Sequence, residues 1–238
     1  MNDSRSKQTV ARRSFLARFG AGAAAFGAAF AVGDSAARAQ GAAPAAPWQP
    51  ARHAEDDWLE EGRAKHRFFL DTSEVRGLGH AIFWANNFST VSRGAAYGLT
   101  DADSSIVICL RHESAPFAFT DAMWKKYGHA LSEHAAFEDP KTKQPAVVNV
   151  FQASGYNDVL SSRGTTLDTL VGHGVRFAVC MLATRGIASQ AARDTGGKVD
   201  DIYKELVDNK IANAHMVPAG IVAVNRAQER GFSISSVS

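Results

Sequence analysis

The chain has 238 residues, of which 45% are hydrophobic, and its 26 Lys and Arg residues nearly balance its 24 Asp and Glu residues. A balance this close to neutral does not suit a protein that binds nucleic acid or an anionic membrane through general charge attraction. Only two cysteines are present, Cys109 and Cys180, which excludes a small fold held together by several disulfides. The length allows one domain with a sizeable hydrophobic core.

Residues 1–39 have the features of an export signal. The twin arginines Arg12 and Arg13 precede a weakly apolar stretch, residues 19–32, and the Ala-Arg-Ala of residues 37–39 suits a signal peptidase. The pattern resembles a bacterial twin-arginine (Tat) signal. The apolar stretch is too short for a transmembrane helix, which needs roughly 20 residues.

Removal of this segment changes the charge and sets the limits of the domain. Residues 1–39 contain six of the 26 basic residues and two of the 24 acidic ones, so the remaining chain has an excess of two acidic residues. We therefore predict a periplasmic protein with no nucleic-acid partner and no membrane insertion of the mature form. Residues 40–54, rich in Ala and Pro, are predicted to form a flexible leader, and residues 55–238 a single domain.

Beyond the leader, the hydrophobic pattern alternates between strand and helix. Short apolar runs predict buried strands, and apolar residues three and four positions apart predict helices. The predicted strands are residues 66–71, 105–110, 174–179, 214–217 and 232–235. The predicted helices are residues 58–65, 78–97, 122–131, 165–171, 181–196, 199–212 and 219–230. This alternation predicts an α/β fold, a parallel sheet of about five strands with helices on both faces.

Residues 132–164 interrupt the alternation. Turn-forming residues dominate this segment, for example in Glu-Asp-Pro-Lys-Thr-Lys-Gln-Pro of residues 138–145. Loops of this length in a compact domain are commonly functional or disordered. We interpret the segment as a candidate lid over the edge of the sheet.

Cys180 is the principal candidate for chemistry. It lies where a predicted strand passes into a helix, so its thiol is expected at the carboxyl edge of the sheet, where ligands bind in open α/β folds. Unpaired N–H groups and the helix dipole favour a thiolate at such a position. The alternative is a small buried core residue, which free cysteine often is. Cys109, in the middle of an apolar strand, is predicted to be a core residue without a disulfide to Cys180.

Three other side chains are candidates for ligand binding. His112 follows the strand of residues 105–110 and is expected at the same sheet edge as Cys180, where it could pair with the thiolate or orient a ligand. Arg185 lies in the first turns after Cys180 and could face an anion at the helix start. His215 closes a shorter strand and is a candidate of the same kind. Each could equally be an ordinary edge or solvated residue.

Familiar cofactor and metal patterns are incomplete in this sequence. The Gly-x-Gly of residues 77–79 lacks the third glycine and the later acidic residue of a dinucleotide site. No P-loop and no Gly-x-Ser-x-Gly occurs. His129 and His134 are five positions apart and so do not share a helix face, and we predict no metal site. We also predict no cofactor.

Four short features carry a resemblance to a known family. They are Val-Cys-Met-Leu-Ala-Thr-Arg-Gly-Ile of residues 179–187, Val-Pro-Ala-Gly-Ile of residues 217–221, Glu-Arg-Gly-Phe of residues 229–232, and an upstream strand followed by His112. Together they resemble the DsrE/DsrF-like superfamily of sulfur-relay proteins over roughly residues 65–236.

The resemblance implies a flavodoxin-like sheet and a homo-oligomer, commonly a trimer or hexamer. It also implies that Cys180 accepts a persulfide sulfur and passes it on, with a sulfur donor or acceptor protein as partner. Under this hypothesis His112 and Arg185 lie near the thiol. The rival hypothesis is a non-enzymatic periplasmic binding or oligomeric module in which Cys180 is structural. A third is an accessory protein that is exported folded with an oxidoreductase partner.

Overall fold

Five strands form the central sheet of the computed structural model, which describes residues 48–62 and 64–238. In chain order the strands are β1 (His66–Thr72), β2 (Ser104–Leu110), β3 (Arg176–Cys180), β4 (Ala214–Val217) and β5 (Ser233–Val237). They lie side by side in the order β4-β3-β2-β1-β5, and every neighbouring pair is parallel. The predicted α/β class, with a flavodoxin-like parallel sheet, is confirmed.

The predicted signal of residues 1–39 and most of the predicted leader lie outside the described residues. From Gln49 onward the chain forms one compact unit. In the part of the chain that the structure describes, no helix is long and apolar enough to cross a lipid bilayer.

Six α-helices surround the sheet in this part of the chain. They are α1 (Val75–Arg93), α2 (Asp121–His134), α3 (Leu167–Gly172), α4 (Met181–Thr195), α5 (Val199–Asp208) and α6 (Gly220–Glu229). The first five contribute to one core, against the face of the sheet that carries Leu70, Ile108 and Phe177. The other face, which carries Phe69, Val107 and Cys109, is covered by α6 and by a 3₁₀ helix at residues 54–60.

The central strands are hydrophobic on both sides because both faces are covered. In β2, the six residues from Ser105 to Leu110 are all buried, and successive apolar side chains alternate between the two cores. The edge strand β5 is mostly half-buried or exposed and carries three serines. This difference explains why residues 105–110 give the clearest strand pattern in the sequence.

The first helix differs from the prediction in position. A 3₁₀ helix spans Ala54–Glu60, whereas a short helix over residues 58–65 was predicted. Its Trp58 ring stacks on His215 with ring centroids 4.5 Å apart, and Arg176 donates to the Trp58 and Leu59 backbone carbonyls. Contacts with residues distant in sequence hold this segment in place. Its position therefore does not depend on a helical pattern of apolar residues that the sequence could show.

The segment between α2 and α3 is not the lid that the sequence predicts. Asn149 Nδ2 donates to the backbone carbonyls of Phe117 and Phe119, at 2.9 and 3.0 Å. Phe151 is fully buried against Phe117. The segment therefore extends the hydrophobic core beside a 3₁₀ helix at residues 112–118.

Candidate functional site

A cavity of about 320 Å³ opens at the carboxyl edge of the sheet. The ends of β2 and β3, the starts of α4 and α6 and the end of α2 form its walls. The residues that line it are Arg111, His112, His134, Cys180, Leu182, Ala183, Ala219, Gly220 and Ile221. Its volume suits a small ligand and lies at the lower end of the range for small-molecule sites. Two predicted site residues, Cys180 and His112, are thus brought together here.

Cys180 is the last residue of β3 and the N-cap of α4. Cys180 is only 7% exposed, and its thiol is free. No side chain caps the start of α4, so the backbone N–H groups of the first turn have no side-chain acceptor. The helix dipole and these N–H groups favour negative charge beside the cysteine.

Arg111 brings a guanidinium into the cavity. Its Nε and Nη2 donate to Asp71 Oδ1 and Oδ2 at 2.7 and 2.9 Å, a two-pronged ion pair with a buried carboxylate. The hydrogen bond to Asp71 raises the pKa of Arg111, so the group stays charged. Within the described residues no hydrogen bond engages Arg111 Nη1, which remains available to a ligand.

The turn after β2 sets the position of His112. This residue has φ 51°, a left-handed conformation that is uncommon outside glycine. Ser114 Oγ accepts from the Arg111 backbone N–H at 3.0 Å, and lies 2.9 Å from the hydroxyl oxygen of Thr72. These buried hydrogen bonds tie the turn to β1 and hold His112 at the edge of the cavity.

His134 is a cavity residue that the sequence does not reveal. The predicted helix ends at residue 131, but α2 continues to His134, whose ring lies half-buried next to the backbone of His112 and against Gly186. Burial lowers the pKa of His134, although the contact with the His112 backbone acts in the opposite direction. His134 lines the same cavity as Cys180, and the neutral form of an imidazole can accept a proton and return it.

Arg185 lies outside this cavity. Its Nη2 is 2.7 Å from Asp200 Oδ1, and its guanidinium lies over the ring of Tyr203 on α5. A ligand role for Arg185 stays a prediction, and in this structure Arg111 supplies the guanidinium beside the thiol. His215 also lies elsewhere, stacked on Trp58.

Cys109 occupies the core below the cavity. It is fully buried, and burial raises the pKa of its thiol well above the ordinary value. Both cysteine thiols are free. Gly220 lies over both Cys109 and Arg111, since an added Cβ would stand 3.1 Å from Cys109 Sγ and 2.7 Å from Arg111 Cβ.

Exposed apolar side chains surround the mouth of the cavity. Leu182 is 69% exposed and Ile221 is 61% exposed, and Val222 lies beside Ile221 in the same helix. Both Leu182 and Ile221 also line the cavity. The entrance is therefore apolar, while the interior holds a thiol, two imidazoles and a guanidinium.

Comparisons of the chain with protein-family models, with curated proteins and with solved structures found no match.

Proposed function

We propose that this protein carries sulfur as a persulfide on Cys180. The observation that carries the proposal is a free cysteine at an uncapped helix start, in a small cavity with one guanidinium and two imidazoles. A thiolate there is placed to attack a sulfur donor, and the resulting persulfide anion has Arg111 Nη1 as a charge partner. The resemblance to the DsrE/DsrF-like superfamily supports the same function.

The transfer needs no external oxidant. The sulfur of Cys180 attacks the outer sulfur of a donor persulfide, R–S–S–H, and the donor S–S bond breaks as a new S–S bond forms on Cys180. The thiol proton of Cys180 passes to the departing R–S⁻, so a thiol R–S–H leaves. His134 and His112 line the same cavity and can relay that proton. The reverse reaction, with an acceptor thiol, delivers the sulfur onward.

The test is to incubate the reduced full chain with glutathione persulfide, block it with an alkylating agent and locate added sulfur by mass spectrometry. We expect one extra sulfur on Cys180 and none on Cys109, which is fully buried. Cys109→Ala should retain the added sulfur, and Cys180→Ser should lose it. These matched variants separate a site-specific carrier from general thiol chemistry.

The rival function is a non-enzymatic binding module in which Cys180 is structural. The low exposure of Cys180 and the apolar entrance favour this alternative. Under it, neither sulfur nor the alkylating agent reaches Cys180 until the protein unfolds. That result would overturn the carrier function.

We also propose that residues 1–39 direct export to the periplasm by the twin-arginine route. The paired arginines Arg12 and Arg13 and the short apolar stretch support this. We expect the double variant Arg12→Lys, Arg13→Lys to remain in the cytoplasmic fraction and to keep its signal, whereas the native chain is found shortened in the periplasmic fraction. Equal export of both chains would contradict the proposal.

A further inference from the structure

A second group of polar side chains lies on the surface formed by α2 and α4. His129 and Glu133 belong to α2, and Asp194 belongs to the last turn of α4. One possible ligand atom from each residue lies within 4.8 Å of those from the other two. Across residues 48–62 and 64–238, no other three His, Cys, Asp or Glu side chains meet this condition.

The spacing of residues in α2 and the packing of α2 against α4 together bring these three side chains close to one another. His129 and Glu133 are four positions apart, so they share one face of α2. The packing of α2 beside α4 then brings Asp194 to that face, with its Oδ2 2.9 Å from His129 Nδ1. Gln190, one turn earlier in α4, donates from Nε2 to Asp194 Oδ1 at 3.1 Å. Asp194 is therefore oriented with one oxygen toward His129, as outer hydrogen bonds commonly orient metal-binding carboxylates.

We propose that His129, Glu133 and Asp194 bind a divalent transition-metal ion of the Zn²⁺ class. An imidazole nitrogen and two carboxylate oxygens are typical Zn²⁺ ligands, at about 2.0–2.2 Å from the ion, whereas Mg²⁺ and Ca²⁺ prefer oxygen alone. Ligand atoms at those distances in a tetrahedron are roughly 3.3 Å apart. The present separations need only small rotations of exposed side chains to reach that geometry.

The surroundings leave the ion open to solvent. A cavity of about 460 Å³ lies next to the cluster and is lined by His129, Glu133 and Glu138, among others. Three protein ligands leave at least one coordination position for water or a small anion. The site is separate from the Cys180 cavity, since no residue lines both. The inference therefore does not depend on the sulfur-carrier proposal.

The test is calorimetric titration of the metal-free, tag-free full chain with Zn²⁺. We expect one ion per chain, and we expect His129→Gln and Asp194→Asn each to weaken binding by at least tenfold. Gln190→Ala, which removes only the residue that orients Asp194, should weaken it less. His66→Gln is the matched control because His66 is exposed and distant in sequence, and binding should be unchanged.

Cobalt distinguishes this cluster from the thiol. Co²⁺ bound by nitrogen and oxygen lacks the thiolate charge-transfer band that a Co²⁺–sulfur bond gives, so we expect no such band and no effect of Cys180→Ser. All three ligand residues lie at the surface, and unfolding curves of the variants should match that of the native chain. If one variant does not fold, Glu133→Gln gives the same test on another ligand. Absent binding, binding that survives the substitutions, or binding lost in Cys180→Ser would each overturn the proposal.

Discussion

Arg111 gives the cavity a charge that is fixed in both place and direction. Two of its nitrogens are held by Asp71, so the plane of the guanidinium is set by a buried carboxylate. An arginine side chain that is already held by a bidentate ion pair loses less conformational freedom when a ligand binds than a mobile lysine side chain would. The free Nη1 can therefore discriminate an anion from a neutral ligand of similar size.

Cys109 predicts a stability change at alkaline pH. Burial raises its pKa above the ordinary value of 9.0, so the unfolded chain loses this proton at a lower pH than the folded chain. The protonated Cys109 thiol therefore contributes its full stabilisation of the folded state below about pH 9. This stabilisation is lost as pH rises further, at about 1.4 kcal/mol of unfolding free energy per pH unit.

The measurement for Cys109 is urea unfolding of the native chain and of Cys109→Ala between pH 7 and pH 11. The free energy of unfolding of the native chain minus that of Cys109→Ala should be constant up to about pH 8.5. Above pH 9 this difference should fall, because only the native chain loses the stability that Cys109 contributes. A difference that stays constant to pH 11 would contradict the assignment.

Single residues also mark where sequence interpretation succeeded and failed. Cys180 and His112 were predicted at one sheet edge because each directly follows a buried strand, and the cavity contains both. Arg111 and His134 were missed. The ion pair of Arg111 depends on Asp71 of a neighbouring strand, and His134 requires α2 to run three residues beyond its predicted end.

Helix α6 approaches the sheet closely where it begins. Its first residue, Gly220, has no room for a Cβ, which would stand 2.7 and 2.8 Å from Arg111 Cβ and Cδ. Gly220→Ala must therefore move the start of α6 or displace Arg111. We expect a loss of about 1–3 kcal/mol in the free energy of unfolding, as overpacking of a core commonly causes.

The matched control for α6 is Gly172→Ala at the end of α3. An added Cβ there meets nothing within 4 Å, so the change should be neutral or slightly stabilising. Chemical denaturation of the two variants beside the native chain gives the comparison. Equal stability of Gly220→Ala and the native chain would show that α6 can shift without cost.

Elements with regular side-chain periodicity were predicted well, and those held by tertiary contacts were not. Residues 105–110 and 214–217 agree with β2 and β4 within one residue, because a strand covered on both faces has few polar positions. The 3₁₀ helix at residues 112–118 was missed, since hydrogen bonds from Ser114 to β1 define its start. The lid prediction failed for a related reason, since Ala146, Val150 and Phe151 are buried against residues distant in sequence, such as Phe117.

The exposed apolar side chains at the cavity mouth predict self-association of the whole molecule. Leu182, Ile221 and Val222 form an apolar surface next to the thiol, and such surfaces commonly mark interaction sites. We expect the native chain to sediment as a homo-oligomer and the double variant Leu182→Gln, Ile221→Gln to shift to a smaller species. Val147→Gln, which changes an exposed valine elsewhere, should leave the size unchanged. A monomeric native chain would contradict this prediction.

The order of the strands could not be predicted from the sequence. Alternating strands and helices predict parallel strands joined by right-handed crossover connections. They do not predict on which side of the existing sheet each new strand is added. Here β2, β3 and β4 are added in succession on one side of β1, and β5 returns to the other. The helix that makes this return, α6, therefore covers the second face of the sheet.

The place of β5 has a consequence for how the chain folds. Phe68 of β1 pairs with Ser233, so one edge of the first strand has no partner until residues 233–237 have been synthesised. Pairing between segments so far apart in sequence is slow to form. During that delay β1 presents an unpaired edge, a template for aggregation between chains. A chain released before β5 has been synthesised would keep that edge of β1 unpaired, and we expect it to aggregate more readily than a chain that contains β5.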